Sequence, residues 1–253
     1  MGLEGTSTGI MGLATRSPSA PTEQPMLAPP DKRTLFDRYW ETRHLPSADL
    51  RSRLRTAVVE RFLKGVKGSL LDVGCGRGAV AAHFAELGFN VTAVDISPLA
   101  VRWTELQHPT IKAALLDLET EPLQGMFETI LCLEMLQQVR DPVAVLTKLR
   151  DALTPGGSLI VSLPNEFHVA RRLSILAGRI DFGGIEDTHI KLYTPAEHWR
   201  LFAKCGLLVT EACSQSIVPA RWVFGWPHRL GNCLAGRWPS LFALSTVYRL
   251  TTK

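Results

Sequence analysis

The chain has 253 residues and a net charge of +4, from 28 Lys and Arg against 24 Asp and Glu. That length suits one large α/β domain or one domain with extensions, and so modest a charge offers no dense basic stripe for nucleic acid. The five cysteines (Cys75, Cys132, Cys205, Cys213, Cys233) lie far apart with no C-x-x-C pair, which excludes a disulfide framework or zinc site and fits reduced thiols in a cytosol.

No run of about 18 apolar residues occurs, so no spanning helix is expected. Residues 1–30 are rich in Gly, Ser, Thr and Pro and read as a disordered tail. They lack the basic start and apolar core of a secretory signal. Met1-Gly2 with Thr6 meets the N-myristoylation pattern only formally. Residues 31–68 follow as leading helices, in two pieces broken near Pro46, with Ser47 or Asp49 as a cap for the second. Leu54, Val58, Val59, Phe62 and Leu63 recur at helical spacing. Such a pair can cover a site or simply pack on a sheet.

From residue 69 strands and helices alternate. SLLDVG (69–74) is a short apolar strand, and AVAAHFAELG (79–88) a helix stopped by Gly88. NVTAVDIS (90–97) is a second strand, followed by a helix with Pro98 at its first position. IKAALLDL (111–118) and FETILCLEML (127–136) are the third and fourth strands. A helix over 141–157 is capped by Asp141, and SLIVSLPN (158–165) is the fifth strand. Thr194 caps a further helix that Gly206 ends before a sixth strand, and FALSTVYRLTT (242–252) is a seventh. This alternation predicts an α/β fold: a doubly wound, seven-stranded, mostly parallel sheet with helices on both faces, occupying 69–253. The Trp/Arg-rich stretch within 214–240 precedes the last strand. It reads as a lid, a packing helix or, over 217–240, a membrane-surface patch, since aromatic rings mixed with Arg suit a headgroup interface.

Ligands of such a sheet sit at the strand carboxyl ends. Gly74 and Gly76 allow close backbone approach there. Asp95 ends the second strand, 21 residues beyond Gly74, where an acid accepts ribose hydroxyls. Asp117 and Leu118 end the third strand, offering an acceptor for an exocyclic adenine amine and apolar contact to the ring. A dinucleotide turn reads G-x-G-x-x-G, but here the third glycine, Gly78, comes early and Asp72 precedes the turn. An acid beside a pyrophosphate is unfavourable, whereas an amino-acid end tolerates it. The spacing therefore favours a methyl donor over NAD.

LLDVGCGRG, AVDIS, LLDLE, LCLEML and LTPGGSLIVSLPN resemble the successive motifs of class I S-adenosylmethionine-dependent methyltransferases, over about residues 69–165. GRIDFGGIEDTHIKLYTPAEHWRLFAKCGLLV, with Asp187, His189, Ile190, Tyr193 and Thr194, resembles the methionine-biosynthesis-protein-W-like and ubiquinone-type group. The resemblance implies that Gly74, Cys75 and Gly76 contact the methionine part of the donor, Asp95 the ribose, Asp117 and Leu118 the adenine, and Leu133 the donor through its backbone. Asp72 and Ile96 join this set, Asp72 chiefly by holding the turn. Cys75 is expected to pack, not to act as a nucleophile.

One departure stands out. The ubiquinone-type members read E-M-L-E-H-V after strand four, and this chain reads EMLQQV, with Gln137 and Gln138 in place of the acid and histidine. Neutral amides ligate hard cations poorly and cannot act as bases, so no metal is expected. His189 and His168 are the candidate general bases, or else hold their loop. Tyr39, Glu134 and Arg171 are the candidate acceptor contacts, with Arg171 and Arg172 equally readable as a solvated helix face, and Tyr39 and Trp40 either closing over the pocket or packing. The expected activity is methyl transfer to a small molecule, first to a hydroxyl oxygen. An N-methyltransferase and a catalytically inactive donor-binding subunit are the alternatives. The expected location is cytoplasmic, with a position peripheral to the membrane as the alternative.

Overall fold

Seven strands form one sheet in the order β3-β2-β1-β4-β5-β7-β6. The strands are β1 (Ser69–Val73), β2 (Asn90–Asp95), β3 (Lys112–Leu115), β4 (Phe127–Leu133), β5 (Leu153–Pro164), β6 (Leu207–Ser216) and β7 (Ala243–Thr252). β1 to β5 pair in parallel, and β7 runs antiparallel to both β5 and β6. The expected fold class is borne out. Strand order reverses between β1 and β4, so their adjacent carboxyl ends make the crevice where such folds bind ligands. The computed structural model describes residues 1, 31–42, 50–179, 188–216 and 226–252. Residues 2–30 of the expected tail, the break at Pro46 with Ser47 and Asp49, Asp187, and residues 217–225 of the Trp/Arg stretch lie outside them.

The helices are α1 (Lys32–Thr42), α2 (Leu50–Phe62), α3 (Ala79–Glu86), α4 (Pro98–Gln107), α5 (Pro142–Asp151), α6 (Val169–Leu176), α7 (Pro195–Lys204), α8 (Trp226–Arg237) and the short α9 (Pro239–Phe242). A single-turn 3₁₀ helix covers Leu136–Gln138. Their starts follow from local chemistry. The Ser97 hydroxyl accepts the Ala100 N–H ahead of Pro98, and the Asp141 carboxylate accepts from Val143 and Ala144 ahead of Pro142. Thr194 and Glu197 form a reciprocal capping box. Each satisfies backbone donors that a helix start leaves unpaired.

The core has two halves because side chains alternate along each central strand. Leu70, Leu131, Ile160 and Val247 face one side, under Val59 and Phe62 of α2 and Ala81 and Phe84 of α3. Leu71, Ile130, Leu159 and Val161 face the other, under Leu146 and Leu149 of α5 and Phe202 of α7. All four Leu and Ile side chains at 70, 71, 130 and 131 are fully buried.

Two boundaries differ from the sequence reading. The helix expected over 141–157 stops at Asp151, and β5 starts at Leu153, with a register shift against β4 that the 154–157 stretch fills. β3 is cut to Lys112–Leu115 because the Asp117 side chain draws the chain into a turn by accepting the Glu119 N–H. The described part of the 214–240 segment packs on the sheet: Ala235 of α8 is fully buried and Asn232 accepts the Ser216 N–H at 3.3 Å. Among the described residues no helix is long and apolar enough to cross a membrane.

Candidate active site

The turn after β1 is tied to β2 from the start. The Gly74 and Cys75 N–H groups both donate to the Val94 carbonyl, at 2.8 and 3.1 Å. Gly76 has φ 54°, in the left-handed region, and a Cβ there would lie 2.5 Å from the Trp40 ring of α1. The position thus needs glycine twice, once for backbone and once for space. Gly76→Ala is expected to destabilise the fold by about 1–2 kcal/mol from backbone strain alone, and further by pushing α1 away. A denaturant melt checks this, and an unchanged midpoint would contradict it.

Asp95 closes the same turn. Its Oδ2 accepts the Gly76 N–H and its Oδ1 the Ser97 N–H, both at 2.9 Å. Burial raises its pKa above the usual carboxylate value, with the backbone N–H bonds from Ser97 and Gly76 working against that. Asp72 lies beside it, buried, and its Oδ2 has no hydrogen-bond partner. Burial, and then the charge of Asp95, push the Asp72 carboxyl up to about 7, with Arg55 of α2 pulling the other way. Cys75 is buried, with its thiol pushed up by burial and by both acids. This matches a packing residue, since the thiolate is the nucleophilic form.

α1 runs across the ends of three strands. Its Trp40 carbonyl accepts from Arg77 at 3.2 Å, after β1. Asp37 bonds the Ser97 hydroxyl and accepts the Leu99 N–H at 3.2 Å, after β2. Lys32 pairs with Glu119, and Arg33 with Glu121 at 3.1 Å, after β3. α1 lies against the turn through Trp40, and α2 packs on the sheet through Val59 and Phe62. Tyr39 is partly exposed and stands edge-on to Trp40, ring centres 5.1 Å apart. Asp117 is partly exposed at the β3 end, Leu118 is buried in the core, and Ile96 and Leu133 are partly exposed at the ends of β2 and β4.

The far wall is a chain of polar side chains. Glu134, just past β4, has φ 56°, the one non-glycine residue with positive φ among those described. Such strain marks a position that its surroundings over-determine. Here the Glu134 N–H meets Ser162, the Ser162 hydroxyl donates to Glu134 Oε1 at 2.9 Å, and Arg55 lies 3.3 Å from the same oxygen. Gln137, 1% exposed, donates from Nε2 to the Glu134 carbonyl at 2.8 Å. The Gln137 backbone carbonyl takes the Ile190 and Lys191 N–H groups at 2.9 and 3.0 Å. Gln137 therefore pins Ile190 and Lys191, which form no strand, just past the end of β4. His189 Nε2 lies 3.5 Å from Gln137 Nε2, and His189 Nδ1 lies 3.3 Å from Glu166.

Arg171 corrects one expectation. It is not on a solvated helix face: it is 6% exposed and its guanidinium lies 2.8 Å from Glu166. The partner carboxylate, two residues past β5, makes that burial tolerable. His168 is the cap of α6, its Nδ1 accepting the Arg171 N–H at 3.4 Å. Burial, then the charges of Arg171 and Arg51, hold its pKa below the ordinary imidazole value, against Glu166. Sequence reasoning missed Asp37, Arg55 and Glu166. Only Glu166 had a signal, its place just beyond a parallel strand. Among the described residues no cluster of three or more His, Cys, Asp or Glu is arranged to hold a metal ion.

Residues 39–212, well over half of the chain, match the family model described as methyltransferase domain. The chain belongs to the methyltransferase domain family. The match begins at residue 39, so it takes in the end of α1 and all of α2. A Ubiquinone biosynthesis O-methyltransferase of Xanthomonas euvesicatoria pv. vesicatoria (strain 85-10) is 31% identical over 151 residues, 56% of this chain and 62% of that protein. One of the same name from Xanthomonas campestris pv. campestris (strain B100) is 33% identical over 114 residues, 42% of this chain and 47% of that protein. The chain thus spans less than two thirds of these relatives' length. Among solved structures, magnesium protoporphyrin IX methyltransferase from Synechocystis PCC 6803 with bound SAH superposes with a TM-score of 0.60 at 16% identity, covering 87% of this chain and 95% of that one. An S-adenosylmethionine-dependent methyltransferase from Clostridium acetobutylicum ATCC 824 gives 0.57 at 14% identity, covering 87% and 98%. At such identities these two speak to the fold, and they agree with the Rossmann-like methyltransferase architecture expected from the motifs.

Proposed function

We propose that this methyltransferase domain moves a methyl group from S-adenosylmethionine to a hydroxyl oxygen of a small-molecule acceptor. The observation that carries the reading is the pair of buried carboxylates, Asp72 and Asp95, flanking the glycine turn, with Asp72 Oδ2 lacking a partner. Two acids at that spot repel a pyrophosphate. They suit a donor with an ammonium at one end and ribose hydroxyls beyond it. When bound, the donor supplies an already activated methyl on its sulfonium. The chain's own residues hold it: Gly74, Cys75 and Gly76 by close backbone approach, Asp72 toward the ammonium, Asp95 and Ile96 at the ribose, Asp117 and Leu118 at the adenine, and the Leu133 backbone beside it. Arg55, facing both Asp72 and Glu134, suits the donor's carboxylate.

On the acceptor side stand Tyr39 and Glu134, with Arg171 acting only through Glu166. The protein's part in such a displacement is alignment and exclusion of water, and an oxygen nucleophile must also lose a proton. Of the two histidines, His168 has its Nδ1 committed to capping α6, which leaves His189 as the base. The relatives named O-methyltransferase support an oxygen acceptor. The test is incubation of the protein with methyl-labelled S-adenosylmethionine and a host metabolite extract. Label is expected in a small molecule as a base-stable methyl ether, and no transferred label would count against the enzyme.

Asp72 makes donor binding pH-dependent. In the ligand-free protein its carboxyl is held up at about 7, so it is protonated below that pH. An ammonium beside it favours the carboxylate. Affinity for S-adenosylhomocysteine is therefore expected to rise with pH up to about 7, by at most about tenfold per pH unit, with proton release on binding. The sign for stability is opposite. A carboxyl raised from 3.8 to about 7 costs stability as pH climbs through that window. Asp72→Asn is thus expected to raise the melting temperature at pH 8 while weakening and flattening the binding profile. Calorimetry across pH reads both, and an unaltered profile in the variant would remove Asp72 from the site.

A further inference from the structure

Glu166 lies between β5 and α6 and belongs to none of the motifs that marked the donor site. It is 6% exposed and holds two groups at once, Arg171 at 2.8 Å from Oε2 and His189 Nδ1 at 3.3 Å from Oε1. The second is an ion-pair distance, without the linear geometry of a short hydrogen bond. Burial drives the Glu166 carboxyl up, but His189 and the charge of Arg171 more than offset it, so it stays ionised.

The other face of the imidazole is set by Gln137. The amide orientation there has one answer. Gln137 Nε2 is 2.8 Å from the Glu134 carbonyl, and a flipped amide would bring two acceptor oxygens together at that distance. The side chain therefore presents an N–H to His189 Nε2, which must meet it with its lone pair. The ring proton is left on Nδ1, toward Glu166. At 3.5 Å the contact with Gln137 is at the limit of a hydrogen bond, so it orients the ring and yields readily to an acceptor hydroxyl.

We infer that Glu166 is a positioning residue for methyl transfer, fixing His189 as the Nδ1–H tautomer so that Nε2 takes the proton of the acceptor hydroxyl. The inference rests on the reading of His189 as the base for an oxygen acceptor. In the step, the acceptor O–H bond breaks and its proton passes to His189 Nε2. The oxygen forms the new O–CH₃ bond. The S–CH₃ bond breaks with its electron pair left on sulfur, turning sulfonium into thioether. The positive charge thus moves to the imidazolium, which Glu166 faces through Nδ1–H, and the Nε2 proton leaves to solvent afterwards. Glu166 itself is not protonated. The charged and titratable groups around the Glu166–His189 pair are Arg171 of α6 and His168, the cap of that helix. Arg171 keeps Glu166 charged, and Gln137 contributes orientation without charge.

The test is long-range ¹H–¹⁵N imidazole spectra of uniformly ¹⁵N-labelled protein at pH 8, with His189 assigned by its loss in His189→Ala. The wild type is expected to show a protonated Nδ1 and a bare Nε2. In Glu166→Gln the ring is expected to lose that preference and populate Nε2–H. A wild-type ring protonated at Nε2, or a tautomer unmoved by the substitution, overturns the inference. The wild-type spectrum decides even if a variant folds poorly. An activity arm with labelled S-adenosylmethionine and metabolite extract completes it. Glu166→Gln is expected to slow transfer about a hundredfold, with S-adenosylhomocysteine affinity unchanged and the acid limb of the pH profile moved to lower pH, and Glu166→Asp to recover part of the rate. Transfer lost with the pH profile unmoved would mark Glu166 as merely structural. If His189→Ala transfers methyl at the wild-type rate, the base reading fails whatever the spectra show, so the two failures are distinguishable.

Discussion

Replacing Asp95 by Ala is expected to raise the dissociation constant for S-adenosylhomocysteine about a hundredfold, equivalent to about 2.7 kcal/mol. Hydrogen bonds to a charged partner contribute about 1.5–3 kcal/mol each, and a buried carboxylate facing a ribose can accept two. Asp95 also holds the Gly76 and Ser97 N–H groups, so the same substitution loosens the turn. A donor product lacking the ribose hydroxyls separates the two effects. The wild type should bind that analogue as poorly as the variant binds the full ligand, while the variant should not discriminate between them. A variant that bound S-adenosylhomocysteine like the wild type would show the ribose assignment to be wrong.

The second large effect is at His189. His189→Ala is expected to lower turnover by about 10²–10⁴-fold, the usual contribution of a positioned general base, with S-adenosylhomocysteine affinity unchanged. The separation follows from position: His189 sits with Gln137 and Glu166 past β4 and β5, whereas Asp72 and Asp95 lie at the carboxyl ends of β1 and β2. Equal turnover would end its role as base and favour an acceptor, such as an amine, that arrives already deprotonated.

The geometry of the glycine turn, where the donor is proposed to bind, was legible because local rules govern it. A turn that brings Gly76 to φ 54° under an aromatic ring demands glycine, and Asp95 follows from the length of one strand–helix–strand unit. Pro98 and the Asp141 cap marked helix starts for the same reason, and the structure adds Ser97 as the cap ahead of Pro98. The polar cluster proposed to face the acceptor was opaque because its members meet only in three dimensions. Arg55 reaches Glu134 from a helix far earlier in the chain, and Glu166 meets His189 from the other side of α6 in the sequence. No periodicity encodes such pairs. EMLQQV shows the limit most clearly. Gln137 read as the loss of a chemical group, yet its side-chain amide donates to the Glu134 carbonyl and lies against His189, while its backbone carbonyl docks Ile190 and Lys191.

Calorimetric titration of the protein with S-adenosylhomocysteine and, separately, with NAD tests the central claim most directly. The buried acids at the glycine turn predict micromolar binding of S-adenosylhomocysteine and none of NAD. Binding of NAD, or no binding of S-adenosylhomocysteine, would contradict it.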